Sequence, residues 1–250
     1  MQEKVILVTG AAKRLGAAIA RTLHASGTRV AIHCNRSLVE ANHLAAELNG
    51  LREDSARVFQ CALGDEVVAV RLIADVVGAF GRLDGLVNNA STFYATPVGT
   101  ITGAQWDDVI SSNLKAPLFL SQAAAANLSS TRGAIVNIVD IHADRPLKSF
   151  VVYSVAKSGL AGLTRSLALE LGPQVRVNGV APGAILWPEN GKHGVKHFQS
   201  AEQQRIVEQT PLKRVGSPED VAGAVKYLLL DAPFITGQIL AVDGGRQVVV

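Results

Sequence analysis

Residues 5–16 read VILVTGAAKRLG, and this stretch with its neighbours decides the fold. Lys4–Thr9 is apolar and rich in β-branched side chains, which predicts a buried strand. A turn of small residues follows, and Leu15–Ser26 then spaces apolar side chains four residues apart, as a helix does. Arg29–Cys34 predicts a second strand. A strand, a turn, a helix and a strand within about thirty residues predict a βαβ unit.

The same alternation continues along the rest of the chain. Further strands are predicted over residues 56–63, 83–90, 133–140, 174–181 and 239–242, and helices over residues 37–49, 65–80, 103–128, 151–171 and 217–230. The helix at 37–49 is predicted to begin at a capping box of Ser37 and Glu40. This alternation predicts an α/β fold with a doubly wound, mostly parallel seven-stranded sheet and helices on both faces. No repeat or low-complexity linker is visible, so residues 1–250 are predicted to form one domain, with a substrate-loop region at 183–212.

Composition excludes several classes of protein. Hydrophobic residues make up 48% of the 250 residues, which is enough for a substantial core and too much for a disordered chain. The net charge of +3 comes from scattered lysines and arginines, whereas a nucleic-acid-binding surface needs them clustered. The sequence contains no stretch typical of a membrane span or a signal peptide, and its two cysteines make no disulfide framework. These features predict a cytoplasmic protein that binds neither nucleic acid nor membranes.

The turn after the first strand contains Gly10, Arg14 and Gly16. Small residues here allow the backbone to approach a pyrophosphate, and the following helix offers N–H groups and a favourable dipole to an anion. Arg14 stands where the usual dinucleotide-binding fingerprint has its middle glycine. The position of the turn between a strand and a helix nevertheless indicates a dinucleotide cofactor.

The end of the second strand reads HCNRS over residues 33–37. An acidic residue at this place would bind the ribose hydroxyls of NAD, and the stretch has none. The guanidinium group of Arg36 can pair with a 2′-phosphate, and the hydroxyl of Ser37 can add a hydrogen bond. The alternative is that Arg36 is a solvated surface residue and Ser37 only caps a helix. The stretch favours NADPH over NADH.

Tyr153 and Lys157 stand in the sequence YSVAK, one helical turn apart. They occur with the glycine-rich turn, NNA at 88–90, Asn113, PG at 182–183, ITG at 235–237 and DGG at 243–245. This ordered set resembles the classical short-chain dehydrogenases/reductases over essentially the whole chain. The resemblance implies a Rossmann-type fold with Tyr153 as proton donor and Asn113 organising a water chain to Lys157. The charge of Lys157 is expected to lower the pKa of Tyr153, and its side chain to hold the nicotinamide ribose.

The same resemblance implies which residues contact the cofactor. They are Gly10, Arg14, Leu15, Gly16, His33, Asn35, Arg36, Ser37, Leu63, Asn89, Ala90, Ser91, Tyr153, Lys157, Pro182 and Gly183. The chain departs from the family at Ala62, where many members carry an aspartate that contacts adenine. Backbone groups or Asp65 are the alternatives for that contact. The six histidines show no metal-ligand spacing, so no metal is expected.

Asp140 narrows the resemblance to one branch of the family. It stands 13 residues before Tyr153, where the family usually places its catalytic serine. A serine hydroxyl can donate to the oxyanion formed from a ketone, whereas an ionised carboxylate cannot. A carboxyl group suits a pterin, which offers N–H donors and whose C=N reduction places a proton on nitrogen. With TGAAKRLG, HCNRS and NNASTFYATP, Asp140 makes the chain similar to pteridine reductases.

This narrower resemblance implies a particular substrate site. Its members are Arg14, Ser91, Phe93, Asp140, Tyr153 and Trp187. Phe93 matches the position that stacks on the pterin, although an aromatic residue after a strand more often belongs to the core. Arg14 can reach a carbonyl edge of the substrate, and the alternative for it is a solvated arginine. Trp187 lies in the substrate-loop region.

The sequence therefore predicts an NADPH-dependent pteridine reductase. It would convert dihydropterin or dihydrofolate to the tetrahydro form, with oxidised pterin as a further candidate substrate. Two alternatives remain open: a short-chain ketone reductase, such as a 3-oxoacyl thioester reductase, and a non-catalytic NADP-binding protein. The resemblance also implies a homotetramer in which the helices at 103–128 and 151–171 pack across subunits.

Overall fold

The computed structural model describes residues 3–185 and 200–249. Seven strands form one sheet: β1 (Val5–Val8), β2 (Arg29–Cys34), β3 (Ala56–Gln60), β4 (Gly85–Asn88), β5 (Ala134–Ile138), β6 (Arg176–Pro182) and β7 (Ile239–Val242). Their order is β3-β2-β1-β4-β5-β6-β7, and every neighbouring pair is parallel. The predicted doubly wound parallel sheet is therefore confirmed.

Helices cover both faces of this sheet. They are α1 (Arg14–Ala25), α2 (Leu38–Leu51), α3 (Glu66–Phe80), α4 (Gly103–Ile110), α5 (Ala116–Thr131), α6 (Val151–Leu171), α7 (Ser200–Gln209) and α8 (Pro218–Lys226). One core contains apolar side chains of α1, α2 and α8, and a second contains those of α3, α5 and α6. Because helices cover each face, the central strands β1, β4 and β5 are buried along their whole length.

The connections of β1 decide where a ligand can enter. From β1 the chain proceeds to β2 and β3 on one side and then returns to β4 on the other side. Because the strand order reverses between β1 and β4, the two following connections diverge and leave a crevice at the carboxyl ends of the strands. Residues that follow these strands are thereby brought together.

The predicted capping box at Ser37 is wrong. Ser37 does precede α2, but its side chain makes no capping hydrogen bond. The carboxylate of Glu40 instead forms an ion pair with the ammonium group of Lys13. A charged partner on the neighbouring helix thus competes successfully with the backbone N–H of Ser37 for this carboxylate. The predicted start of a helix after Ser217 is confirmed, with a capping box to Asp220.

Other element boundaries also differ from the predictions. The helix predicted over 103–128 is divided by a π-helical turn, Ser111–Lys115, and extends to Thr131. Strand β3 ends at Gln60 because its partner β2 ends at the paired Cys34. The region predicted as loop over 183–212 contains α7. Sequence periodicity does not detect a π-helical turn, because the apolar pattern continues through it.

The described ranges, 3–185 and 200–249, contain neither a membrane-spanning helix nor a metal-binding cluster. None of the helices there is both long and apolar enough to cross a membrane. No three histidine, cysteine or acidic side chains in these ranges are grouped so that they could hold a metal ion. Cys34 and Cys61 are free thiols, the first in the core beside α1 and the second packed against the core beside α3.

Candidate active site

A cleft of about 550 Å³ opens at the carboxyl ends of the strands. Most of the predicted site residues line it: Gly10, Arg14, Leu15, Gly16, His33, Asn35, Leu63, Asn89, Ala90, Ser91, Asp140, Tyr153, Lys157, Pro182 and Gly183. Four predicted residues, Arg36, Ser37, Phe93 and Asn113, are outside this lining. Trp187 lies outside the described residues. The fold thus gathers side chains from distant parts of the chain around one cavity.

The glycine-rich turn is packed tightly against the segment that follows β4. A Cβ atom at Gly10, whose φ is +61°, would lie 2.9 Å from the Cα of Ala90. A Cβ atom at Gly16 would lie 2.6 Å from the side-chain nitrogen of Asn89. The hydroxyl of Thr9 accepts hydrogen bonds from the backbone N–H groups of Asn89 and Ala90, at 2.9 and 3.0 Å. Contacts within the protein therefore already exclude side chains at both glycines.

His33 holds the same turn from the side of β2. Its Nδ1 accepts a hydrogen bond of 3.1 Å from the N–H of Gly10, and its Nε2 lies 3.1 Å from the carbonyl oxygen of Cys61. Since Nδ1 is an acceptor, the proton is on Nε2, which donates to Cys61. Burial lowers the pKa of His33 from 6.5 to about 4, so the ring is neutral at physiological pH. The neutral ring connects the glycine-rich turn to the end of β3.

This arrangement makes a part of the stability depend on pH. The pKa of His33 is about 4 in the folded state and about 6.5 when unfolded. The stability that its neutral form contributes is therefore present above about pH 6.5 and is lost as the pH falls toward 4. We expect the free energy of unfolding to drop by about 2 kcal/mol more in the native protein than in His33→Gln between about pH 7.5 and 5. Urea unfolding at both pH values measures this, and equal drops in the two proteins would contradict it.

The N-terminus of α1 is suited to an anion. Lys13 occupies the N-cap position without a side-chain cap, and the first turn of the helix contains no acidic residue. Arg14, the first helical residue, has a φ of +52° and an exposed side chain beside the cleft. Backbone N–H groups and the helix dipole thus favour an anion at this end of the cleft, and Arg14 lines it; Lys13 lines it too, with its ammonium group paired to Glu40. This set of donors fits the pyrophosphate of a dinucleotide.

Asp140 and Tyr153, which both line the cleft, form a hydrogen-bonded pair. The hydroxyl of Tyr153 donates to Oδ2 of Asp140 at 2.8 Å. The other carboxylate oxygen, Oδ1, accepts a hydrogen bond of 2.8 Å from the backbone N–H of His142, at the start of the 3₁₀ turn Ile141–Ala143. The ring of Tyr153 is buried, and its hydroxyl reaches Asp140 from the first turn of α6. The two side chains act as one proton-holding unit.

The electrostatics of this pair differ from the sequence prediction. Burial and the neighbouring carboxylate of Asp140 raise the pKa of Tyr153 well above its usual value of 10, whereas Lys157 was expected to lower it. Lys157 is itself buried, which lowers its pKa to about 8. Its ammonium group donates to the carbonyl oxygen of Ile138 at 2.8 Å and lies 5.6 Å from the centre of the Tyr153 ring. The phenol of Tyr153 is therefore held in its protonated form.

Asn113 lies in the π-helical turn and is buried. Its side-chain nitrogen donates to the carbonyl oxygens of Thr92 and Val109 at 2.9 and 3.0 Å, and its side-chain oxygen accepts from the hydroxyl of Ser91 at 2.7 Å. These bonds fix the segment after β4, which forms a wall of the cleft. Its predicted part in a water chain to Lys157 remains a prediction.

Comparison with known proteins agrees with this geometry. A family model described as enoyl-(acyl carrier protein) reductase matches residues 10–247. The chain belongs to the short-chain dehydrogenase/reductase family. Pteridine reductase 1 of Leishmania tarentolae is 38% identical, and the alignment covers 96% of this chain and 95% of that protein. A Streptomyces violaceoruber protein, whose name describes a ketoacyl reductase of the granaticin polyketide synthase, is 36% identical over 97% and 96% of the two chains.

A third relative shows the chemical breadth of this similarity. D-threitol dehydrogenase of Mycolicibacterium smegmatis is 36% identical over 98% of this chain and 93% of its own. The chain is thus an oxidoreductase of the family, and this membership implies a nicotinamide cofactor. The uncapped N-terminus of α1 beside Arg14 fits such a group, as does Lys157 in the lining of the cleft. When bound, the cofactor supplies or accepts a hydride.

Phe93 packs in a small apolar cluster with Tyr153, and its stacking on a pterin remains a prediction. Its ring stacks on that of Phe150, with centroids 4.5 Å apart and an angle of 14° between the planes. It also meets the ring of Tyr153 edge to face at 4.8 Å. One face of Phe93 is therefore occupied by a neighbour in the same small apolar cluster, as in the core alternative. Its contact with Tyr153 supports the position of the phenol.

Sequence reasoning missed several residues that line the cleft. They are Lys13, Thr92, Asp108, Ser111, Ser112, Ile138, Val139 and Ile185. Asp108 and the two serines lie at the end of α4 and in the π-helical turn, where the sequence shows only a continuous helical pattern. A Cβ atom at Gly64 would lie 3.1 Å from the Cβ of Ser111, so the segment after β3 packs directly on this turn.

Asp65, which is one alternative for the contact to adenine, caps α3. Its carboxylate accepts a hydrogen bond of 2.7 Å from the backbone N–H of Val67.

Proposed function

We propose that the chain is an NADPH-dependent pteridine reductase that reduces dihydropterin or dihydrofolate to the tetrahydro form. The observation that carries this proposal is the hydrogen bond of 2.8 Å between the hydroxyl of Tyr153 and Oδ2 of Asp140. Reduction of a C=N bond needs a hydride on carbon and a proton on nitrogen. The Asp140–Tyr153 pair offers that proton, and the oxygens of Asp140 can accept hydrogen bonds from the N–H groups of a pterin.

The environment of the pair supports a role as proton donor. The raised pKa keeps the phenol of Tyr153 protonated at neutral pH, so the proton is present, but it also makes the phenol a weak acid. Transfer therefore requires a strongly basic acceptor, such as a substrate ring nitrogen that gains charge as the hydride arrives. The N–H of His142 fixes the rotation of the Asp140 carboxylate, and the packing of Phe93 fixes the ring of Tyr153. The buried Lys157 places a positive charge at the base of the cleft, where it can hold a ribose hydroxyl. Substrate binding by Arg14, Ser91 and Trp187 is part of this proposal.

The preference for NADPH is part of the proposal, and Arg36 is its main test. Arg36 is exposed directly after β2, beside Asn35 of the cleft lining, and the hydroxyl of Ser37 makes no capping bond. Because a charge-assisted hydrogen bond contributes about 1.5–3 kcal/mol, we expect Arg36→Ala to lower the preference for NADPH over NADH about 10- to 100-fold. Values of kcat/KM for both cofactors measure this. Arg165→Ala, an exposed arginine on α6, is the control, and an unchanged ratio in Arg36→Ala would contradict the assignment.

The similarity to a ketoacyl reductase keeps a second function in consideration. A ketone reductase needs donors for the developing oxyanion. The carboxylate of Asp140 can only accept hydrogen bonds, and its negative charge would repel that oxyanion. A 3-oxoacyl thioester is therefore the less favoured substrate, and Asp140 is the residue that distinguishes the two functions.

One assay separates the alternatives. NADPH oxidation is followed at 340 nm with dihydrobiopterin, dihydrofolate and an acetoacetyl thioester in parallel. We expect turnover of the pterin or folate and at most slow turnover of the thioester. Turnover of the thioester alone would identify a ketone reductase and overturn the role given to Asp140. Binding of NADPH without turnover of any of the three would favour a non-catalytic NADP-binding protein.

We also propose a single-domain cytoplasmic protein that forms a homotetramer. Exposed apolar side chains support contacts through the predicted helices: Trp106, Leu118, Val151, Val155 and Leu169. Covering such side chains with a second subunit removes apolar surface from water. We expect light scattering coupled to size-exclusion chromatography to give four times the mass of the 26.3 kDa chain. A single-chain mass at micromolar concentration would contradict the tetramer.

A further inference from the structure

The segment after β7 forms an ordered turn rather than a loose chain end. Asp243 accepts hydrogen bonds from the backbone N–H groups of Gly245 and Gln247, at 2.8 and 2.7 Å. The carboxylate thereby fixes the start of a 3₁₀ turn, Arg246–Val248. Residues 243–249 are called the tail below. Because both carboxylate oxygens of Asp243 accept hydrogen bonds from the backbone of the tail, the conformation of the tail is fixed where it leaves β7.

The tail contacts the end of α7 on one side. The guanidinium group of Arg246 donates to the carbonyl oxygen of Ile206 at 3.3 Å, and the N–H of Leu212 donates to the carbonyl oxygen of Gly244 at 3.2 Å. A Cβ atom at Gly244 would lie 2.7 Å from the methyl carbon of Thr210. The tail is thus packed directly under the last turn of α7 and the residues that follow it.

The tail contacts the turn that carries Asp140 on its other side. Arg145 donates through Nη1 to the carbonyl oxygen of Val249 at 2.5 Å, and Gln247 donates through Nε2 to the carbonyl oxygen of Ile141 at 3.5 Å. Ile141 begins the 3₁₀ turn whose His142 N–H donates to Asp140. The carbonyl oxygen of Arg145 in turn lies 2.9 Å from Nδ1 of His142. A short series of hydrogen bonds therefore joins Gln247 and Val249 to the Asp140 carboxylate.

We propose that the tail is a clamp that positions Asp140 for proton transfer, with Arg145 and Gln247 as its positioning residues. The inference rests on the proposed function, since it assumes that Asp140 takes part in the reaction. The 3₁₀ turn is held on one side by α6, where Ile141 is buried beside Leu160 and the hydroxyl of Ser158 donates to the carbonyl oxygen of Ala143 at 2.5 Å. The clamp holds the other side of the turn, at His142 and Arg145, and couples it to α7. A displacement of a catalytic group by about 1 Å is enough to slow a reaction strongly.

The test compares Arg145→Ala with two partners. Arg145→Lys keeps a cationic hydrogen-bond donor at this position. Lys148→Ala removes an exposed cation from the same loop and leaves the hydrogen bonds between the loop and the tail in place. We expect Arg145→Ala to lower kcat for pterin reduction about tenfold with KM for NADPH changed by less than about twofold. Arg145→Lys should recover part of kcat, and Lys148→Ala should match the native protein. This split separates positioning of Asp140 from general damage to the fold.

Hydrogen exchange provides a readout that does not depend on activity. We expect amides of the 141–145 turn to exchange at least about fivefold faster in Arg145→Ala and in a variant lacking residues 247–250, with β1 and β4 unchanged. Unchanged exchange in the turn would overturn the clamp, and faster exchange with native kcat would overturn its catalytic role. If the native protein reduces no pterin, the proposed function fails. The hydrogen-exchange result then still decides whether the tail holds the turn. In the kinetic test, kcat is measured on whichever compound the native protein reduces, in place of the pterin.

Discussion

Asp140→Ser is expected to lower kcat/KM for dihydropterin reduction by a factor of about 10²–10⁴, the usual contribution of a positioned proton-transfer group. The hydroxyl of Tyr153 would lose the acceptor that now lies 2.8 Å away, and the substrate would lose a carboxylate that accepts from its N–H groups. Serine can still cap the 3₁₀ turn by accepting from His142, so the fold is expected to remain intact. Initial rates at saturating NADPH measure the effect.

The controls for this variant are chosen from the same loop. Asp144→Asn removes an exposed carboxylate four residues away and is expected to retain native activity. Asp140→Asn keeps the shape of the side chain and removes its charge, so it should be as inactive as the serine variant. Full pterin turnover by Asp140→Ser would refute the role of the carboxyl group. A gain of thioester reduction by the same variant would indicate that this residue selects between the two reactions.

Tyr153→Phe is expected to reduce pterin turnover by a similar factor of about 10²–10⁴, because it removes the hydroxyl that donates the proton. The phenylalanine ring should keep the edge-to-face contact with Phe93, so the melting temperature is expected to stay close to that of the native protein. NADPH binding, measured by fluorescence, should also be retained. Turnover assays and thermal unfolding together distinguish a lost proton donor from a damaged core.

Tyr94→Phe is the matched control for that variant. Tyr94 packs against the same small apolar cluster, and its hydroxyl donates to the carbonyl oxygen of Gln105 at 3.3 Å, away from Asp140. We expect it to keep native turnover. If Tyr153→Phe were as active as Tyr94→Phe, another group would have to supply the proton, and the Asp140–Tyr153 unit would have no catalytic role.

Much of the fold could be predicted from the sequence because local patterns and tertiary environment agree. The strands are short apolar runs, and the bounds predicted for β2, α6 and β7 match the structure. The predicted ends of helices and strands were wrong where contacts with a distant part of the chain determine them. β3 stops where its pairing with β2 stops, and the π-helical turn at Ser111–Lys115 leaves no trace in the apolar periodicity.

Site residues could be predicted where the family carries a particular residue type at a fixed position in its order of motifs. The resemblance to the family singles out Asp140, Tyr153 and Lys157, and the structure places all three in the lining of the cleft. The prediction for the pKa of Tyr153 was wrong because this pKa depends on surroundings that spacing cannot reveal. Burial and the neighbouring Asp140 raise it. The stacking of Phe150 on one face of Phe93 is likewise a contact between residues distant in sequence, which spacing does not show.

The packing of the glycine-rich turn bears on how such sequences are interpreted. Gly10 and Gly16 are required by the backbone and side chains of Asn89 and Ala90, whether or not any small molecule is present. A descendant of this chain that had lost every enzymatic ability would still be under selection to keep both glycines, because replacing them would disturb the centre of its architecture. Glycines in this turn therefore indicate common descent and a conserved fold. Evidence that such a protein is still a functional enzyme has to come from Asp140, Tyr153 and Lys157.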